Sequence, residues 1–126
     1  MMPETMRPNE EILKKSLIDL ATENWKTTQV FLKLLSQADI QDQARYAGKL
    51  NWFIKKTEDN LKAAGLRVVN LEGEKYDTGM AVTAINLEEY EDESNLVVEK
   101  MLEPVIMGSN GVERTGTVIL KEGKLE

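Results

Sequence analysis

Leu61-Lys62-Ala63-Ala64-Gly65-Leu66-Arg67-Val68-Val69-Asn70-Leu71 is the stretch where the chain changes its structural language. Before it, apolar residues recur every three or four positions. After it come short, β-branched runs. Gly65 accounts for the change: glycine is the residue that most readily takes the left-handed conformation just past a helix end, and Leu66 can supply the apolar contact that accompanies such a stop. Residues 1–65 therefore read as a helical segment and 66–126 as a small β domain, giving an α+β protein of 126 residues.

Working back from Gly65, residues 40–64 read as one helix. Ile40, Ala47, Ile54 and Leu61 fall on one stripe, with Tyr46, Leu50 and Phe53 beside it. Asp39 is placed to cap its start, and Asp42 three residues on suits the positive end of the helix dipole. An earlier helix, over about 10–37, carries Leu13, Leu20, Thr27 and Leu34 in one heptad series and Leu17, Asn24, Phe31 and Ala38 in the other. Asn9 can cap it. Ile18, Trp25, Leu32 and Leu35 form an adjoining stripe, so the apolar face is wider than a two-stranded coiled-coil seam.

At 1.5 Å per residue each helix is roughly 35 to 40 Å long, and the short connection at Asp39 makes the two antiparallel. Two helices cannot cover both wide faces by themselves. Dimerisation into a four-helix bundle would cover them, with Leu17, Trp25, Phe31, Leu34, Leu50, Phe53, Ile54 and Leu61 at the interface. Asn24 and Thr27 would then form a polar layer that fixes register, or else face solvent. Trp25 and Trp52 read as packing residues rather than partner contacts, and Gly48 as a place where a neighbouring helix comes close.

Beyond Gly65, residues 67–71, 80–86, 96–102 and 116–121 read as strands, with shorter extended pieces near Val105 and Val112. Asn110-Gly111 is a turn signal between the last pieces. Tyr76-Asp77 sits in another turn, where the aspartate is suited to bonding the backbone two residues on. The acidic run 88–93 lacks the alternating ligands and glycine of a calcium loop and reads as a solvated surface.

Composition narrows the function. The chain has no histidine and no cysteine, which removes the common near-neutral acid/base group, thiolate nucleophiles, zinc-thiolate sites and disulfides. No enzymatic activity, metal or other cofactor is expected. A net charge of -6 with scattered basic residues argues against nucleic-acid binding. There is no apolar run of membrane-spanning length and no secretory h-region near the start, so no membrane association and a cytoplasmic location are expected.

The order of these pieces resembles GrpE, the nucleotide exchange factor of the DnaK-type chaperone. Leu61-Lys62-Ala63-Ala64-Gly65-Leu66 followed by Glu72-Gly73-Glu74-Lys75-Tyr76-Asp77 is similar to the family's helix end, glycine, strand and acidic-aromatic-Asp turn. Ala81-Val82, the run Leu96-Val97-Val98-Glu99-Lys100-Met101-Leu102, and the closing segment with Arg114 before the last strand resemble the family's later strands. Thr78-Gly79-Met80 and Pro104 depart from its pattern, and the N-terminal stalk is short.

The resemblance covers roughly residues 25–121. It implies a homodimer whose β domain binds the ATPase domain of a DnaK-type chaperone and promotes ADP release. It also implies that Arg114, Asn110, Gly111, Tyr76 and Asp77 contact the partner. A dimeric adaptor of the same fold without exchange activity is the alternative.

Overall fold

The computed structural model describes residues 8–123. Helix α1 spans Pro8–Ser36 and helix α2 spans Ile40–Ala63. Proline opens α1 because its fixed φ suits a helix start and its missing N–H is one the first turn cannot bond anyway. Asn9, expected as the cap, lies inside that first turn. The cap of α2 is as its sequence implies: the Asp39 carboxylate accepts the Asp42 N–H at 2.8 Å.

The end of α2 follows from glycine chemistry. Gly65 has φ +75, its N–H donates to the Lys62 carbonyl at 3.0 Å, and the N–H of Leu66 donates to Leu61 at 2.9 Å. That pair of bonds satisfies two of the carbonyls a helix end leaves open. Leu61 and Leu66 then pack in one buried cluster, so the stop of the helix and the start of the core are a single event.

Six strands follow: β1 (Arg67–Val69), β2 (Val82–Ala84), β3 (Leu96–Glu103), β4 (Val105–Gly108), β5 (Gly111–Arg114) and β6 (Gly116–Glu122). They form two three-stranded sheets, ordered β1-β4-β5 and β2-β6-β3. The β2–β6 pair is parallel and the other pairs are antiparallel. Buried Pro104 separates β3 from β4 and is where the chain leaves one sheet for the other. A proline has no N–H for the ladder, so pairing ends there and the strand changes partners. The acidic run is not plain loop: it includes 3-10 turns at Leu87–Glu89 and Glu93–Asn95, with the acids outward.

The first sheet lies in the middle of the molecule. Along β4 side chains alternate, so Val105 and Met107 pack with the second sheet while Ile106 faces the helices. The second sheet adds Leu96, Val98, Met101, Val118 and Leu120 to the larger core. Register shifts in the β3–β6 pairing flank Lys100 and Glu103. There the Glu72 carboxylate accepts the Met101 N–H at 2.9 Å, giving an irregular stretch of strand a partner.

The change of pattern at Gly65 marks a change of secondary structure, not an end of packing. Ile18 and Ala21 of α1, Leu61 of α2, Leu66 and Ile106 share one core. The periodicity sets Ile18 on a face for another helix, and in the fold it packs on a sheet. Trp25 likewise packs on the larger β core, and Leu17 on the smaller one.

Candidate interaction surface

The helices present what the β region hides. On α1, Leu13, Leu20, Phe31 and Leu34 are all exposed, and Ile12 and Val30 widen the strip. At about 100° per residue these positions share one side of the helix, next to the side that holds Ile18, Ala21, Thr22 and Thr28. Buried Thr22 is satisfied locally, its hydroxyl donating to the Ile18 carbonyl at 2.9 Å. From α2, Tyr46, Trp52 and Phe53 are also exposed, with the Arg45 guanidinium 5.7 Å from the centre of the Tyr46 ring. Exposed apolar side chains grouped along one side of a helix are of the kind that interaction sites use.

Between the helices this surface dips into a hollow of about 310 Å3 lined by Thr27, Thr28, Phe31, Tyr46, Lys49, Leu50 and Phe53. Leu50 is the buried floor at 8% exposure, and the three aromatic rings stand around it. Rigid aromatic rims around an apolar floor are what interface anchors fit into. Of the residues read as dimer contacts, Phe31, Leu34 and Phe53 lie open and Leu50 lies beneath them. Ile54 and Trp25 are half-buried, Leu17 is drawn to the β side, and Leu61 at 2% exposure is closed inside the chain. Trp52 is 63% exposed, so no packing within the chain holds it. Gly48 has nothing within 4 Å of where a side chain would project, so no close helix approach within the chain explains it.

The residues expected to contact a partner from the β region are not brought together. The hairpin turn falls one residue earlier than expected, at Ser109 and Asn110, and Gly111 opens β5 opposite Gly108 with φ +126. Tyr76 belongs to the other sheet, where its N–H donates to Leu96 at 2.8 Å and its ring joins the larger core. Asp77 makes the local turn its sequence implies, its carboxylate accepting the Gly79 N–H at 3.0 Å.

Arg114 is neither free on the turn edge nor paired with its neighbour Glu113. Its guanidinium lies 2.6 Å from the Asp19 carboxylate and donates to the Thr22 hydroxyl at 3.4 Å, both on α1. Glu113 takes Lys14 of the same helix at 2.6 Å. Adjacent residues of β5 with opposite charges thus meet opposite charges five residues apart on α1, and the strand is held in one register along the helix. Nothing in the sequence spacing signals these pairs, because both bridge more than ninety residues.

Among the described residues, no helix is long and apolar enough to cross a membrane, and no cluster of three or more acids could hold a metal ion. No family model matches the chain, and neither a curated protein nor a solved structure does.

Proposed function

We propose that this chain is a dimeric binding protein of the GrpE kind, which docks on the ATPase domain of a DnaK-type chaperone and promotes ADP release. One observation carries the reading: the helix pair leaves a broad apolar face with an aromatic-rimmed hollow open, beside a β module that buries most of its apolar residues and leaves Ile85 and Val112 open. A second copy laid on that face would complete a four-helix bundle of the kind the heptad series implies. The chain would act by binding the open form of the chaperone's nucleotide cleft more tightly than the closed form, which shifts that equilibrium without consuming anything.

In this reading the hairpin turn at Ser109 and Asn110, with Gly111 beside it, remains presentable to a partner. Arg114 acts through α1: it sets the angle of the β module by holding Asp19. The measurement is ADP release from the purified chaperone of the same cell, with wild type and Arg114→Glu, beside the mass of each in sedimentation equilibrium. Faster release by wild type and slower stimulation by the variant, both as dimers, supports the reading. Binding without faster release favours the adaptor, a second reading to which the internal engagement of Arg114 lends weight. Absence of binding removes both.

A further inference from the structure

The first sheet ends at β1, and the outer side of β1 lines a cleft. The turn at Ser109 and Asn110 sets Gly108 opposite Gly111, so Gly108 and Ile106 turn their N–H and C=O groups toward β5. Val105 and Met107 then turn theirs toward β1, where Val69 and Arg67 stand opposite them. Val68, between those two, aims its N–H and C=O away from the sheet. No loop backbone group bonds it among the described residues. Leu66 and Asn70, two positions to either side, line the same cleft, which has a volume of about 830 Å3; the Leu66 N–H is taken by Leu61, so Val68 alone offers both its groups along β1.

The far walls set Trp25 and Leu32 from α1 and Ile54 from α2 among polar neighbours, Asn24 and Gln29 on α1 and Thr57 on α2. Trp25 and Leu32 lie on the side of α1 away from the exposed strip of Leu13, Leu20 and Leu34, and the cleft adjoins the proposed bundle face at Thr28, which lines both hollows. At its mouth are Glu58, Asp59, Lys62 and Arg67. Asp59 is already held by Lys55 at 3.3 Å. Lys62 and Arg67 have no carboxylate within ion-pair distance among the described residues, so two cations stand at the mouth against one unpaired acid, Glu58, on a chain of net charge -6.

We propose that this cleft is a docking site for an extended peptide segment of a partner protein, added as a fourth strand beside β1. Unpaired main-chain groups at a sheet edge select an extended backbone, because only that conformation offers N–H and C=O groups at the matching spacing. Alternate side chains of the segment would meet Trp25, Leu32 and Ile54, since strand side chains alternate in direction. A carboxylate at one end of the segment would meet Lys62 and Arg67. The inference is independent of the chaperone reading.

A library of random nine-residue peptides displayed on phage is selected on the wild-type protein and on Val68→Pro. Proline at position 68 removes the outward N–H, an arrangement edge strands tolerate, and replaces a valine side chain that packs on the smaller core, so the thermal midpoint reports whether the variant is folded. The expected winners on wild type alternate apolar residues and carry an acid. As synthetic peptides they should bind at least tenfold more weakly when alternate amides are N-methylated, and more weakly to Arg67→Glu. They should also slow hydrogen exchange at the Val68 amide. The proposal is overturned by an absence of enrichment over Val68→Pro, or by winners indifferent to N-methylation. It is equally overturned if the Val68 amide is already protected without peptide at concentrations where the protein is dimeric, because a second copy then fills the edge.

Discussion

The two halves of this chain handle apolar residues in opposite ways. In the β region Leu96, Val98, Met101, Val118 and Leu120 are at most 1% exposed, and Ile85 and Val112 are the large apolar residues that six short strands leave open among the described residues. In the helical region Leu13, Leu20, Leu34 and Trp52 are each more than half exposed. Two sheets can enclose a core because each has two faces and the middle one is covered on both. Two antiparallel helices have one seam between them, and a strip wider than that seam stays open.

The comparison breaks if the halves melt separately, and Leu61→Ala tests this with the largest effect. Leu61 joins α2 to α1 and to the first sheet, and truncating so buried a leucine costs about 2 to 5 kcal/mol. Loss of helical circular dichroism and of amide protection in the β core should coincide at a lower midpoint. Two separated transitions would show that the halves are independent bodies.

Phe53→Asp addresses the open half. Phe53 is 41% exposed in the single chain, so the β core should keep its exchange protection while association weakens at least tenfold, because a charge then enters an apolar contact. Sedimentation equilibrium should show twice the chain mass for wild type and the single mass for the variant. A monomeric wild type at tens of micromolar would remove the bundle.

Gly48→Ala sharpens the point on a smaller scale. With open space around position 48, alanine should raise stability by about 0.5 to 1 kcal/mol through helix propensity alone. A loss of stability that grows with protein concentration would instead place a second chain against this stretch of α2.

The smallest effect is at Asp92. Its carboxylate accepts from the Ser94 hydroxyl at 2.6 Å and from the Ser94 N–H at 2.9 Å, and these bonds hold its pKa below the usual aspartate value. A carboxylate depressed in the folded state stabilises it at and above the ordinary aspartate range. That contribution fades as pH falls through the lowered folded value. A carbon-detected NMR titration should find Asp92 protonating below 3.8, the ordinary value, with no change in the helical signals.

What the sequence determines here is local. The cap at Asp39, the stop at Gly65 with its Leu66 contact, the hairpin near Asn110-Gly111 and the turn at Asp77 all depend on residues within six positions of one another, whose own chemistry restricts the backbone. The six strands also fall where β-branched runs stand, though they are trimmed at their ends by what each can pair with.

Tertiary structure decides the rest. Periodicity reports that Ile18 and Trp25 need cover, but not that a sheet supplies it, since burial is non-directional and any apolar surface satisfies it. Arg114 could meet any carboxylate; the register of β5 along α1 selects Asp19. Pro104 marks a break in the sequence, and only the packed sheets show that the chain changes sheet there. The cleft beside β1 has no sequence signature either, because it is made of unpaired backbone, which every residue carries alike.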